Sequence, residues 1–243
     1  MKLQRLNNIV EIKGTLLLKS GLHIGSGDNE MHIGGTDNPV IKHPHTNEPY
    51  IPGSSLKGKM RSLLEWYLGL VAFNDGKPFG YQQLAKIDDA NKASAIRLIQ
   101  LFGVSGGDNL DSKQAAEIGP TRLAFRDCAL TRSWVETLDK RNLPRTETKF
   151  ENSINRIAGT AENPRNTERV PEGAIFEFSV ALKVLDGDDE AALTRMVLTG
   201  FKLLEMDALG GSGSRGYGKV QFQLAPELQT QLDALQPFTQ KAV

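Results

Sequence analysis

Cysteine is almost missing from this sequence. Cys128 is the single one in 243 residues, which excludes an internal disulfide and a cysteine-ligated zinc cage. No apolar run is long enough to cross a bilayer and no signal-peptide pattern is present, so the expectation is a cytoplasmic protein with no membrane partner. Neither charge is in excess: 29 basic residues stand against 29 acidic ones, so any contact with a nucleic acid must come from local patches, with modest long-range steering. Aromatic stacking platforms are also wanting, since the last expected strand offers Phe222 and little else. The remaining composition, 39% hydrophobic and 24% charged, is that of a soluble globular chain long enough to bury a core.

What is present is concentrated between residues 34 and 61. Gly34-Gly35-Thr36-Asp37-Asn38-Pro39 sets a carboxylate on a glycine-proline loop, where Asp37 can also simply bond its own turn. After it comes Tyr50-Ile51-Pro52-Gly53-Ser54-Ser55-Leu56-Lys57-Gly58-Lys59-Met60-Arg61. Ser54 or Ser55 is a suitable N-cap, and Leu56, Met60, Leu63, Leu64 and Tyr67 recur at helical spacing. A helix N-terminus favours acidic side chains, yet this one carries Lys57, Lys59 and Arg61. An anion docked on the exposed N–H groups would relieve that conflict. The competing reading is three cations snorkelling beside a core helix.

Along the chain, Ile9 to Leu18 reads as a strand, followed by Leu22-His23-Ile24-Gly25-Ser26-Gly27, in which His23 suits phosphate contact, proton transfer or a structural hydrogen bond. His43-Pro44-His45 is an incomplete ligand set. Leu84 to Phe102 reads as helical, and residues 103–119 as a polar loop. Arg122 to Leu130 and Ala174 to Leu185 alternate as strands. Between them, residues 139–172 are rich in Arg, Lys, Asn and Thr and too poor in apolar residues for a core of their own, which suits either a solvated excursion or an arm ordered on a sugar-phosphate chain. A helix with an acidic first turn follows Asp188, then a glycine-rich turn and a last strand from Lys219 to Leu224. The order strand, helix, strand, strand, helix, strand predicts an α+β, ferredoxin-like βαββαβ core.

Two motifs match only in part. Gly53 to Lys59 fits seven positions of a P-loop, but Met60 replaces the hydroxyl that binds magnesium. Gly211-x-Gly213-x-x-Gly216 fits a dinucleotide fingerprint, but lies after a helix and before a strand, the reverse of the order that aims a helix at a pyrophosphate. A glycine loop holding Arg215 can still hug a phosphate backbone.

The Gly34–Val40 loop, the Tyr50–Lys59 stretch, Lys149-x-Glu151-Asn152-x-Ile154-Asn155-Arg156 and the run from Gly211 to Gly218 together resemble the RAMP superfamily. More closely, they resemble the repeating backbone subunit of type III-A (Csm) CRISPR effector complexes. The resemblance implies a single RRM-like domain over 1–243, with an insertion at 25–52 that holds the catalytic loop and one at 139–172 as a thumb β-hairpin; residues 72–119 are read as an inserted helical lid, with 103–119 and the His43-Pro44-His45 pair outside the matched pattern. It implies copies stacked head to tail along a CRISPR RNA, with other Csm-type subunits including a large polymerase-like one and a small one. It further implies metal-dependent endonucleolytic cleavage of complementary target RNA at regular intervals. Carried over residue by residue, Asp37 is the catalytic candidate and the candidate ligand of a divalent metal, Mg2+. RNA-binding candidates are His23, Ser54, Lys57, Lys59, Arg61, Asn152, Asn155, Arg156 and Arg215. Two rival expectations are a non-catalytic RNA-binding scaffold of the same superfamily and a guide-processing endonuclease using His23 as general base.

Overall fold

The computed structural model describes residues 5–27, 38–104 and 108–238. Asp37 therefore lies outside the described residues, as does most of the glycine-proline loop. In chain order the elements are β1 (Leu6–Leu18), β2 (Tyr50–Ile51), α1 (Gly53–Tyr67), α2 (Asp89–Phe102), α3 (Ser112–Ile118), β3 (Leu123–Phe125), β4 (Cys128–Ala129), α4 (Arg132–Lys140), β5 (Glu147–Ile154), β6 (Ala161–Arg169), β7 (Ile175–Leu185), α5 (Glu190–Met206), β8 (Val220–Leu224) and α6 (Pro226–Ala234). Among the described residues no helix is long and apolar enough to cross a membrane.

The main sheet is antiparallel, in the order β3-β7-β1-β8. Alternation gives it one dry face: Leu16 pairs with Phe176 on one side and Phe222 on the other, and all three are fully buried. Glu11, Lys13, Glu177 and Gln221 point the other way and are exposed. Helices α1 and α5 cover the dry face, and Phe178, Phe201 and Phe222 close the core with ring centroids 4.5–5.5 Å apart. The two helices approach closely at Gly200, where a Cβ would stand 2.8 Å from Met60 Cε.

Several local expectations are corrected by tertiary contacts. Helix α1 begins at Gly53, with Pro52 in the cap position and no side-chain cap, so Ser54 is an exposed first-turn residue and not the N-cap. The cap's work is done from afar: Asp127 Oδ1 accepts the Gly53 N–H at 2.8 Å. The expected strand from Arg122 to Leu130 is interrupted for the same reason, because Asp127 leaves the ladder to meet the helix start and splits the run into β3 and β4. Residues 84–102 also divide: a 3-10 turn over Tyr81–Lys86 precedes α2, which is capped by Asp88. Within the polar stretch 103–119, Asp111 accepts from Lys113 N and Gln114 N and starts α3. Helix α4, capped by Thr131, was not expected from the sequence.

Candidate nucleic-acid interface

Residues 147–169 form a two-stranded hairpin in which Lys149 faces Thr167, Glu151 faces Arg165 and Glu147 faces Arg169. At its tip Asn155 Oδ1 accepts from the N–H groups of Ile157 and Ala158, and its Nδ2 donates to Glu162. Asn155 thus shapes the turn, while Arg156 and Asn152 are exposed. Phe150, Ile154 and Ile157 are 73%, 64% and 100% exposed, an unusual apolar display on so polar a hairpin.

The hairpin's base is locked to the first half of the chain at Glu168, which is buried. Its carboxylate accepts from Val40 N at 2.9 Å, Lys42 Nζ at 2.6 Å and Thr146 Oγ1 at 2.7 Å. Burial pushes its pKa up, but these donors outweigh burial and hold it below the usual carboxylate value. Its main chain is engaged too: Glu168 N donates to Asn38 O, and Glu168 O lies 2.7 Å from His23 Nδ1. Since the partner is a carbonyl oxygen, Nδ1 must carry the proton. One residue thereby gathers His23, the chain just after Asp37, and the hairpin.

The glycine loop after α5 lies alongside. Gly211 N donates to His23 O at 2.9 Å, and Gly218 N to Gly21 O at 2.9 Å. Gly210, Gly216 and Gly218 take positive φ, as does Ser212. Tyr217 is 2% exposed beneath the hairpin base, with Lys149 Nζ 4.4 Å and Arg169 Cζ 5.0 Å from its ring centroid. Its hydroxyl donates to Glu151 Oε1 at 3.2 Å. Arg215 bonds Ser212 Oγ and places Nε 3.2 Å from Glu151 Oε2.

The cations at the start of α1 have separate fates. Lys59 pairs with Asp207 at 2.6 Å. Arg61 is largely buried and donates to Glu65 at 2.8 Å and to the Phe79 carbonyl at 2.7 Å, so it anchors the following loop and is not presented to a ligand. Lys57 has no ion-pair partner among the described residues, and burial together with nearby Arg61 pulls its pKa down. The anion expected at this helix start is supplied internally by Asp127. Three acidic residues that organise the region, Asp127, Glu151 and Glu168, were not singled out as site residues, since nothing local marks a carboxylate whose partners are distant in sequence.

Among the described residues no three His, Cys, Asp or Glu side chains gather into a metal cage. His43 Nδ1 instead lies 3.3 Å from His45 N and 3.4 Å from Thr46 N, which closes a turn.

The model of the RAMP superfamily matches residues 15–221. The "CRISPR system Cms endoribonuclease Csm3" of Methanothermobacter thermautotrophicus is 42% identical over 225 residues, covering 87% of this chain and 82% of the relative. A solved structure described as "Methanopyrus kandleri Csm3 crystal structure" matches with a TM-score of 0.58 and 26% identity, over 89% of this chain and 75% of that one. Another, "Crystal structure of Csm3-Csm4 subcomplex in the type III-A CRISPR-Cas interference complex", matches with a TM-score of 0.52 and 28% identity, over 90% and 77%. The mixed α/β fold is similar to theirs, and with a family model spanning most of its length the chain belongs to the RAMP superfamily.

Proposed function

We propose that this chain is the repeating backbone subunit of a type III-A CRISPR RNA-guided complex, binding CRISPR RNA and cleaving complementary target RNA at regular intervals. The similarity to a relative named as an endoribonuclease of such a system supports the activity. The observation that carries the site is the meeting at Glu168 of His23, the Asn38–Lys42 segment and the hairpin base. In this reading the sheet order β3-β7-β1-β8 with α1 and α5 is a ferredoxin-like core, the hairpin is a thumb, and residues 72–119 are a lid. Neighbouring copies stack head to tail, which is a contact that does not close on itself.

RNA brings its own nucleophile, the 2′-hydroxyl, so the protein's task is to hold sugar and scissile phosphate in line and manage charge. Asp37 is assigned as the residue that accepts the proton or holds a divalent ion, magnesium, together with substrate phosphate oxygens, the hard oxygen donors that ion prefers. His23, fixed by Glu168, and Lys57, Asn152, Arg156 and Arg215 are assigned to the RNA. Ser54 and Lys59, on the first turns of α1 with Lys57, are assigned to it as well. The test is Asp37→Ala in the assembled complex with labelled target RNA: the expected result is bound but uncut target. Cutting at the wild-type rate would leave the chain a scaffold. Loss of cutting in EDTA, restored by Mg2+, checks the ion.

A further inference from the structure

We propose that Lys149, Arg165 and Arg215 form one seat for a phosphodiester group of bound RNA, and that Glu151 is the positioning residue that gathers them there. The inference rests on the RNA-binding reading above and adds to it a site built between the hairpin base and the glycine loop. Three cations from three segments converge on one carboxylate: Lys149 Nζ lies 3.5 Å from Oε1, Arg215 Nε 3.2 Å and Arg165 Nε 3.6 Å from Oε2. Like charges this close repel one another unless a counter-charge stands among them. The layering is asymmetric. Glu151 is 11% exposed, whereas Arg165 and Arg215 are each 48% exposed and Lys149 34%, so the carboxylate lies underneath and the cations face outward.

The orphaned oxygen strengthens the case. Glu151 Oε2 is sealed from solvent yet accepts no hydrogen bond from the described residues, although two guanidinium groups border it. Both contacts are ionic and undirected, so Arg165 keeps its directional donors off Glu151, while Arg215 spends one of its own on Ser212 Oγ. A phosphate accepts a fork such as that of Arg165 in bidentate fashion. Tyr217 fixes the level of the whole assembly, through its hydroxyl on Glu151 Oε1 and the Lys149 ammonium over its ring. Burial raises the Glu151 pKa, but the Tyr217 hydroxyl and the charges of Arg215 and Lys149 outweigh it, which keeps the carboxylate ionised as this role requires.

The experiment is binding of a fluorescent single-stranded guide RNA over a series of salt concentrations, with Arg165→Gln, Lys149→Gln, Glu151→Gln and the Glu151→Gln/Arg165→Gln pair. Lys13→Gln, on the exposed face of the sheet, is the control. Arg165→Gln and Lys149→Gln should each weaken binding about tenfold and lower the salt slope by about one, and Lys13→Gln should do neither. In the Glu151→Gln background the loss from Arg165→Gln should shrink severalfold, because the seat is no longer gathered. Unchanged affinity and slope for Arg165→Gln and Lys149→Gln, while the assembled complex still carries RNA and cuts target, would overturn the seat and leave the function standing. Tighter binding by Glu151→Gln with the full Arg165→Gln loss retained would show that Glu151 merely competes for the cations. Absence of RNA binding by the wild-type complex would instead defeat the functional reading.

Discussion

The Nδ1–H of His23 donates to the main-chain carbonyl of Glu168 across 2.7 Å, joining two residues 145 positions apart. The side chain of the same glutamate holds Val40 and Lys42. Removing the Glu168 side chain should loosen the segment after Asp37 without undoing the sheet. Glu168→Ala strands the buried Val40 N–H and is expected to cost about 1–3 kcal/mol in thermal or chemical melting. Target cutting by the assembled complex should fall while guide RNA is retained, and Glu168→Gln, which can still accept from Val40, should recover part of both.

Acid should destabilise the protein in a defined direction. Glu168 and Glu151 have folded pKa values held below their ordinary 4.5, so the stability they contribute is fully present above that value and is lost as pH falls through the folded ones. Glu205 is the opposite case: burial raises its pKa, so its share of stability is fully present below the ordinary 4.5 and is lost as pH rises through the raised folded value. Melting temperature measured from pH 7 downward should therefore drop below about pH 4.5, and the drop should be shallower in Glu168→Gln.

Arg122 is a stability prediction. Its guanidinium is 1% exposed, grips both Asp188 oxygens at 3.0 and 3.1 Å, and also donates to the carbonyls of Ile118 and Pro120. This ties α3 to the turn before α5. Arg122→Ala leaves Asp188 buried and unpaired and is expected to cost about 3–5 kcal/mol by denaturant titration. Arg122→Ala with Asp188→Ala should cost less than the sum of the two single changes.

Cys128 should be inert. It is fully buried, and burial with the nearby Asp127 charge pushes its thiol up to about 12. Iodoacetamide at pH 8 should leave the folded protein unlabelled and label it once denaturant is added. Rapid labelling of the native protein would contradict this placement.

Where one face of an element is buried, its pattern was readable. The strand at β7 and the stripe Leu193, Val197, Gly200, Phe201 and Leu204 on α5 lie where alternation and helical spacing put them, because burial of those side chains is what forms the element. The short elements were not readable in this way. Helices α3 and α4 bury little beyond Ile118 and Leu138, so their caps carry more information than their periodicity. The break between β3 and β4 is decided by Asp127, whose partner Gly53 is 74 residues away.

The sequence by itself determined the class of protein: a single cysteine, balanced charge, an α+β order of elements and four family stretches in succession. It also placed the cations. Only the tertiary structure decided which of them remain presented: Arg61 meets a carboxylate one turn along its own helix, but the partners of Lys59 and of the α1 start come from distant parts of the chain. Arg61 is taken by Glu65, Lys59 by Asp207, and the α1 start by Asp127, while Glu151 leaves Arg165 and Arg215 facing outward. Charge is written residue by residue, but its availability depends on distance and burial, which exist only after the chain has folded.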